Sequence, residues 1–518
     1  MYKKISVTDA VSLLADGSMV ALSSFTAVSL AEEIIEAAER SFLATGHPRD
    51  LRIFHCAGAG NYKDMGLSRF AHEGMVKAIY GSHLGAAPGM QPLVYNDQVE
   101  SYTIPQGVCC HLARSLAGGE DGLLTKVGLG TFADPRLDGC RMNEISKDTV
   151  VDLVELHGKE YLYYHIPKID IALIKVSRAD RLGNLSLKYE PVLVEQLHMA
   201  AAARANGGIV IAIVEELCED EIFKAGEIKI PGRFVDYIVP GTPGKTFQTH
   251  ILEGHHPELT GEATIELAKL PVSPLNLRKI CGKRGAMEIR QDNMVNIGGG
   301  MSEAVATVAA EEGISTKFQF SVESGIIGGV PIQGAIGLAY NPEIMLTQSD
   351  TFDLYNGGCL DLSFLGCAQV DCEGNVNVTR FGSHVIGPGG FVNITQAAKK
   401  ICFLGSFTGG RSDIVPENGR LKIRKEGSIV KYVKKVEQVS FSGKHAIEHG
   451  QEILYITERC VFTLTPEGVM LLEIAPGVRL QEDILDLMEF TPLISPHLTT
   501  MDPGIFLDQP MNLKENFD

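Results

Sequence analysis

The stretch from Lys317 to Pro331, KFQFSVESGIIGGVP, holds the residues best spaced to do chemistry. Phe318, Phe320 and Val322 alternate with Gln319, Ser321 and Glu323, the period of a β-strand. Glu323 therefore points away from the Phe face at the strand's C-terminal end, where Ser324-Gly325 opens a tight turn. In open parallel sheets that end is where ligands bind. A carboxylate there is a candidate for catalytic work, set against the plain alternative of one more solvated acid among 64 Asp and Glu.

Three further glycine clusters are candidates for a floor that accommodates an anion: Gly128-Leu129-Gly130-Thr131, Gly298-Gly299-Gly300 and Gly387-Pro388-Gly389-Gly390. Glycine permits close approach of backbone N–H groups to a ligand. None follows the G-x-G-x-x-G dinucleotide pattern in its strand–helix setting, and each alone also reads as turn chemistry. The adjacent His255-His256 lacks the i, i+4 spacing of two ligands on one helix face, and His83 has no ligand-spaced neighbour, so no metal site is expected. Tyr161, Tyr163 and Tyr164 lack a basic surround and read as packing residues, not base-stacking platforms.

The elements that must position these groups alternate between helix and strand. A helix capped by Ser6 or Thr8 is expected over Asp9–Ala15, then a buried strand at Met19–Leu22. Ser29-Leu30-Ala31-Glu32 has capping-box spacing, and Gly46 with Pro48 ends the helix it opens. Strand-like runs follow at Leu51–Phe54, Ile169–Val176 and Gly208–Val214. The opening then recurs: Asp292–Ile297 enters Gly298-Gly299-Gly300, and a helix starts at Ser302-Glu303 and stops before Gly313. Two such openings predict two related open α/β domains with mostly parallel sheets, 1–275 and 276–518, with residues 240–275 as a connecting segment.

Composition limits what the chain can be. Its 518 residues are 45% apolar and 21% charged, a globular balance. A net charge of −18 disfavours nucleic-acid binding, yet local backbone amides can still hold one small anion. The N-terminal residues lead into no signal-peptide stretch, and the aliphatic runs are strand-length, so neither export nor a membrane partner is expected. Eleven cysteines without a CxxC pair point to reduced thiols and a cytoplasmic setting.

Phe320-Ser321-Val322-Glu323-Ser324-Gly325-Ile326-Ile327-Gly328 resembles the active-site motif of family I CoA-transferases. The resemblance extends over most of the chain to the single-chain short-chain acyl-CoA transferases, the propionate and acetate group. It is carried by Phe70–Gly74, Pro105-Gln106-Gly107, Lys126–Arg136, Gly366–Arg380, Gly389–Thr395 and Tyr455–Arg459. The resemblance implies an active site between two CoA-transferase domains and reversible CoA transfer from a short-chain acyl-CoA to acetate, propionate, butyrate or lactate. Coenzyme A would serve as substrate carrier and covalent intermediate, with no tightly bound cofactor and a homo-oligomeric enzyme.

Residue by residue, Glu323 matches the family's nucleophile, and Gln106 a glutamine that polarises the acyl carbonyl. Gly389 and Gly390 match a backbone-amide contributor, and Gly298 and Gly300 the loop beside bound CoA. Val322 and Ser324 depart from the family's Ser and Asn, and Ser23-Ser24-Phe25 replaces a G-G-F turn. Arg380, Lys399, Lys400 and Arg411 lie in the CoA-side half, where solvated surface charge is their plain reading. An acyl-CoA hydrolase on the same scaffold, a non-catalytic α/β ligand sensor and a Rossmann oxidoreductase are the rival functions.

Overall fold

Runs of β-branched and aliphatic residues bounded by glycine, proline and asparagine pair into two large sheets, one in each of two units. The computed structural model describes residues 2–246, 249 and 251–517. The first unit comprises Met1–Glu262, Met345–Phe352 and Gly382–Asn393; the second comprises Ala263–Ile344, Asp353–Phe381 and Ile394–Asp518. The long change of unit falls shortly before the boundary expected near residue 275. Within the expected connecting segment, Phe247, Gln248 and His250 lie outside the described residues.

In the first unit the main path runs Lys3–Lys4, Tyr237–Pro240, Ile209–Cys218, Ile171–Asp180, Met19–Leu22, Leu51–His55, Val76–Gly81 and Glu100–Thr103. Every neighbouring pair on that path is parallel. Strands covered on both faces read as continuous apolar runs, and Met19–Leu22 is buried at all four positions. Helices at Glu32–Thr45 and Gln106–Ala117 follow the strands, and Ile34, Ile35 and Ala38 of the first seat in a core with Val20, Leu22, Ile53 and Ile79. Val385 and Val392 join this core, which ties the Gly382–Asn393 segment to the first unit.

The second unit holds five parallel neighbours: Gln319–Ser321, Met294–Ile297, Leu362–Gly366, Lys400–Leu404 and Glu452–Ile456. Its opening strand, Met294–Ile297, sits inside the sheet with the next main strand on one side and a later one on the other. Met19–Leu22 holds the same place in the first unit. The helix Glu303–Glu311 covers the sheet with Val305, Ala306, Val308 and Ala309. Among the described residues, no helix is long and apolar enough to cross a membrane.

Two local expectations need correction. The first helix is Val7–Ser12, capped by Ser6 in a reciprocal box with Asp9, so it begins and ends earlier than Asp9–Ala15. Ser29 is no capping residue: it sits at φ 56°, and its hydroxyl donates to buried Glu190 at 2.6 Å. Glu32 turns instead to the Gly66 N–H and to Arg69, so the helix Glu32–Thr45 begins after Ala31 with no side-chain cap. The expected stop at Gly46 is present, in the left-handed conformation at φ 77°.

Candidate active site

Glu323 follows the Gln319–Ser321 strand at its C-terminal end, in a turn closed by the Gly325 N–H donating to the Val322 carbonyl at 3.0 Å. Gly325 takes φ 112°, which a side chain rarely tolerates. Phe318 and Phe320 pack into the unit's core, as alternation demands. Glu323 does not reach solvent on the opposite side, however; it is only 5% exposed. Its Oε2 is buried with no hydrogen-bond partner among the described residues. Burial pushes the carboxyl up from its ordinary range, while its own backbone N–H and the Asn296 side chain favour the charged form.

Three neighbouring strands supply the polar bed near this turn. Asn296 pairs in register with Ser321 on one side and Ser363 on the other, so all three side chains fall in one row. Ser363 Oγ donates to Asn296 Oδ1 at 3.0 Å, while Asn296 Nδ2 reaches the Ser321 carbonyl at 3.3 Å and Tyr355 Oη at 3.4 Å. Ser321 Oγ and Tyr355 Oη share a 2.6 Å hydrogen bond. All four residues are fully buried. Satisfied networks of this kind hold one geometry, because each broken link strands a polar group in an apolar interior. Ser324, which lacks the amide of the family motif, donates to the Gly337 carbonyl at 2.8 Å.

Gly298-Gly299-Gly300 leaves the Met294–Ile297 strand. A Cβ on Gly298 would lie 2.7 Å from Leu365 Cδ2, and one on Gly299 2.6 Å from Ile336 Cδ1. Gly300 has open space around it but φ 89°, so its requirement is conformational. Ser302 Oγ closes the loop by donating to the Gly298 carbonyl at 2.7 Å. Arg278 donates to the Gly300 carbonyl, placing a partly exposed guanidinium beside this loop.

In the first unit, Gln106 opens the Gln106–Ala117 helix and is 3% exposed. Its N–H donates to the Gly389 carbonyl at 2.9 Å, and its Nε2 donates to Gln348 Oε1 at 2.6 Å. The Gly107 N–H donates to Asn393 Oδ1 at 3.0 Å. A Cβ at Gly107 would lie 2.5 Å from Asn393 Nδ2 and 2.6 Å from Phe352 Cγ, which explains the glycine of Pro-Gln-Gly. Gly389 sits at φ 54° and its N–H is spent on the Ser82 carbonyl at 3.1 Å. The Gly390 N–H meets no acceptor among the described residues, so of the two it is the one available to a ligand.

The Ser23-Ser24-Phe25 turn is held by its own hydroxyl. Ser23 Oγ donates to the Ser29 carbonyl at 2.9 Å and accepts from the Lys175 N–H at 3.2 Å. The left-handed positions of this loop fall on Thr26 and Ser29, so serines at 23 and 24 cost no backbone strain. Beneath it, buried Lys175 pairs with buried Glu190 at 2.8 Å. Ser24 Oγ is buried without a partner among the described residues.

Other sequence candidates are structural. The Gly128–Thr131 run wraps Asp134: the Gly130 N–H donates to it at 3.0 Å, and Arg136 grips it twofold at 2.9 and 2.7 Å. A protein carboxylate thus takes the place offered to an anion. Tyr164 is buried and donates to the Val127 carbonyl at 2.9 Å. Lys399 pairs with Asp361, and Lys400 with Glu288 and Glu452. In Tyr455–Arg459, Arg459 is fully buried and bound to Glu458 and Glu426. His255 and His256 face Glu262 and Glu258. Among the described residues, the one grouping of three metal-capable side chains is Cys56, Cys110 and Glu195. The sequence reading missed Asn296, Tyr355, Ser363, Gln348 and Glu195. For Asn296 and Ser363 the signal is an apolar strand interrupted by Asn or Ser in register, which emerges once the strands are paired; Tyr355, Gln348 and Glu195 lie outside the strands and carry no such signal.

A family model described as Coenzyme A transferase matches residues 4–241. The caffeate CoA-transferase of Acetobacterium woodii is 41% identical over 518 residues, covering 98% of each chain. The acetate CoA-transferase YdiF of Escherichia coli K12 is 37% identical, covering 98% of this chain and 96% of its own. The solved structure of the acyl-CoA transferase YdiF from E. coli O157:H7, in a thioester complex with CoA, superposes with a TM-score of 0.93. It is 35% identical and covers 99% of this chain and 97% of that one.

Proposed function

This chain belongs to the Coenzyme A transferase family, as a family I enzyme, and from that premise we propose that it passes CoA between a short-chain acyl-CoA and a short-chain carboxylate through a thioester on Glu323. The observation that carries the reading is a buried glutamate at a strand end with one carboxylate oxygen unpaired, within a chain matched end to end by CoA-transferases. An unpaired, desolvated oxygen is a stronger nucleophile than a hydrated one, because no water must be stripped from it at the moment of attack.

Glu323 adds to the acyl-CoA carbonyl; the tetrahedral oxyanion collapses and expels CoA thiolate, leaving an acyl–glutamyl anhydride. The thiolate then adds to the Glu323 carbonyl and releases the donor acid as its carboxylate, leaving glutamyl-CoA. The acceptor carboxylate runs the same two steps in reverse. Each addition creates an oxyanion that needs N–H donors, and Gln106 and the Gly390 amide are the proposed ones, with Gly389 shaping the turn. Losing one such donor costs about 3 kcal/mol, a hundredfold in rate. Gly298 and Gly300 are proposed to border the CoA chain. Burial of Glu323 supports survival of the anhydride, because water that entered would turn the transferase into a hydrolase.

Acetate is the acid of one relative's name and caffeate of another's. We take the short acid as the substrate class, and further propose a cytoplasmic homo-oligomer that holds no other cofactor. Incubating the enzyme with acetyl-CoA, with and without added propionate, tests the reading. Transfer predicts propionyl-CoA only when propionate is present; acid-independent loss of acetyl-CoA makes the chain a hydrolase, and no turnover at all fits a ligand sensor.

A further inference from the structure

Behind Gln106 lies a one-way chain of hydrogen bonds that ends in a fully buried acid. Gln106 Nε2 donates to Gln348 Oε1 at 2.6 Å, and Gln348 Nε2 donates to Glu195 Oε2 at 3.0 Å. Gln348 and Glu195 are 0% and 1% exposed. An amide side chain can turn over and exchange its donor and acceptor ends, but a carboxylate can only accept. An ionised Glu195 therefore obliges Gln348 to offer its NH2 and turn its carbonyl toward Gln106. Gln106 must in turn offer its own NH2. That leaves the second Nε2 hydrogen of Gln106 free to donate elsewhere.

We propose that Glu195 is a positioning residue for the transfer reaction: acting through Gln348, it sets the polarity of the Gln106 amide so that an N–H, not a carbonyl oxygen, is presented to the reacting carbonyl. This rests on the reading of Gln106 as an oxyanion donor given above. Glu195 touches no reacting atom. Its effect is to remove the arrangement in which Gln106 presents an oxygen, which would repel the oxyanion instead of stabilising it.

The surroundings of Glu195 make this device sensitive to pH. It stands at the start of the Gln196–Ala205 helix, facing the thiols of Cys56, at the end of the Leu51–His55 strand, and Cys110, on the Gln106–Ala117 helix. Asp350, on the helix that begins at Gln348, adds a like charge. Burial raises the Glu195 carboxyl to about 7, with the Cys110 thiol, its own backbone N–H and the Cys56 thiol pulling down and Asp350 pushing up. Burial also raises both thiols, Cys56 to about 11, so they face Glu195 as S–H groups. Above about pH 7 the acid is an acceptor only and the chain has one direction. Below it the protonated acid can donate too, and the reversed chain becomes an equal solution.

The test is single-turnover formation of the glutamyl-CoA adduct from acetyl-CoA, quenched and read by intact mass, in wild type, E195Q, Q106A and the double variant. E195Q keeps the shape but can donate as well as accept. We expect it to slow adduct formation by roughly ten- to a hundredfold, the range between a partly and a fully misdirected donor, with KM for acetyl-CoA changed by less than about twofold. In the Q106A background the same change should add almost nothing, since the effect passes through Gln106. Equal losses in both backgrounds, or a wild-type rate in E195Q, overturn the proposal. Absence of any adduct in wild type defeats the Glu323 reading itself, which keeps the two failures apart. If E195Q does not fold, the wild-type pH profile decides: the rate should step down below about pH 7 in wild type and lack that step in Q106A. The same step in both overturns the proposal.

Discussion

Replacing Gly107 with alanine adds one methyl group where the first unit has no room for it. The new Cβ would sit 2.5 Å from Asn393 Nδ2 and 2.6 Å from Phe352 Cγ, against the 3.4 Å at which ordinary contact begins. Relief requires roughly 0.9 Å of movement, the difference between 3.4 and 2.5 Å. Asn393 is held by the Gly107 N–H and Phe352 is fully buried, so the helix start bearing Gln106 must take much of that shift. Overpacking of this kind costs about 1–3 kcal/mol, and alanine's better helix propensity returns roughly 0.5–1 kcal/mol. The net loss of stability is therefore small. On the proposed role of Gln106 as an oxyanion donor the loss of rate is large, because misplacing a catalytic group by about 1 Å costs on the order of a hundredfold. Thermal melts and steady-state transfer between acetyl-CoA and propionate measure the two separately. A folded G107A with kcat within about twofold of wild type refutes the reasoning, since Gln106 would then tolerate displacement.

Other outcomes follow from the same geometry. Burial raises the Glu323 carboxyl, and in its proposed role as nucleophile only the ionised form can attack, so the rate should fall with decreasing pH at a midpoint above the ordinary glutamate value of about 4.3; N296A, which removes a contact favouring the charge, should move that acid limb further up. K175M should cost about 3–5 kcal/mol in urea unfolding by stranding buried Glu190, and a K175M/E190M double variant should regain much of it. S24A removes a buried hydroxyl that has no partner among the described residues, so its melting temperature should match or exceed that of wild type.

Glu323 was legible because its signal is local. Five alternating residues and a Ser-Gly turn place it at a strand end without knowledge of any neighbour. Its burial was not legible, since alternation turns it away from the Phe face and says nothing of what covers the other side. That bed comes from Asn296 and Ser363, brought together by strand pairing, and from Tyr355 on the helical turn Tyr355–Cys359. Ser29 shows the same limit in a single residue. Its spacing to Glu32 matches a capping box, yet its hydroxyl goes to Glu190, 161 residues away. The relay behind Gln106 spans 242 and then 153 residues, beyond any periodic pattern. The two related openings were legible, because a strand, a small-residue turn and a helix recur in order. That two short segments of the later half belong with the first unit was not, as no composition shift marks them.

The central claim is that Glu323 carries CoA as a covalent thioester. Incubation with acetyl-CoA alone, followed by intact mass and peptide mapping, tests it most directly. The account predicts a CoA-sized adduct on the peptide bearing Glu323, discharged by added propionate and absent from E323A. An adduct on another residue, or transfer that proceeds in E323A, contradicts it.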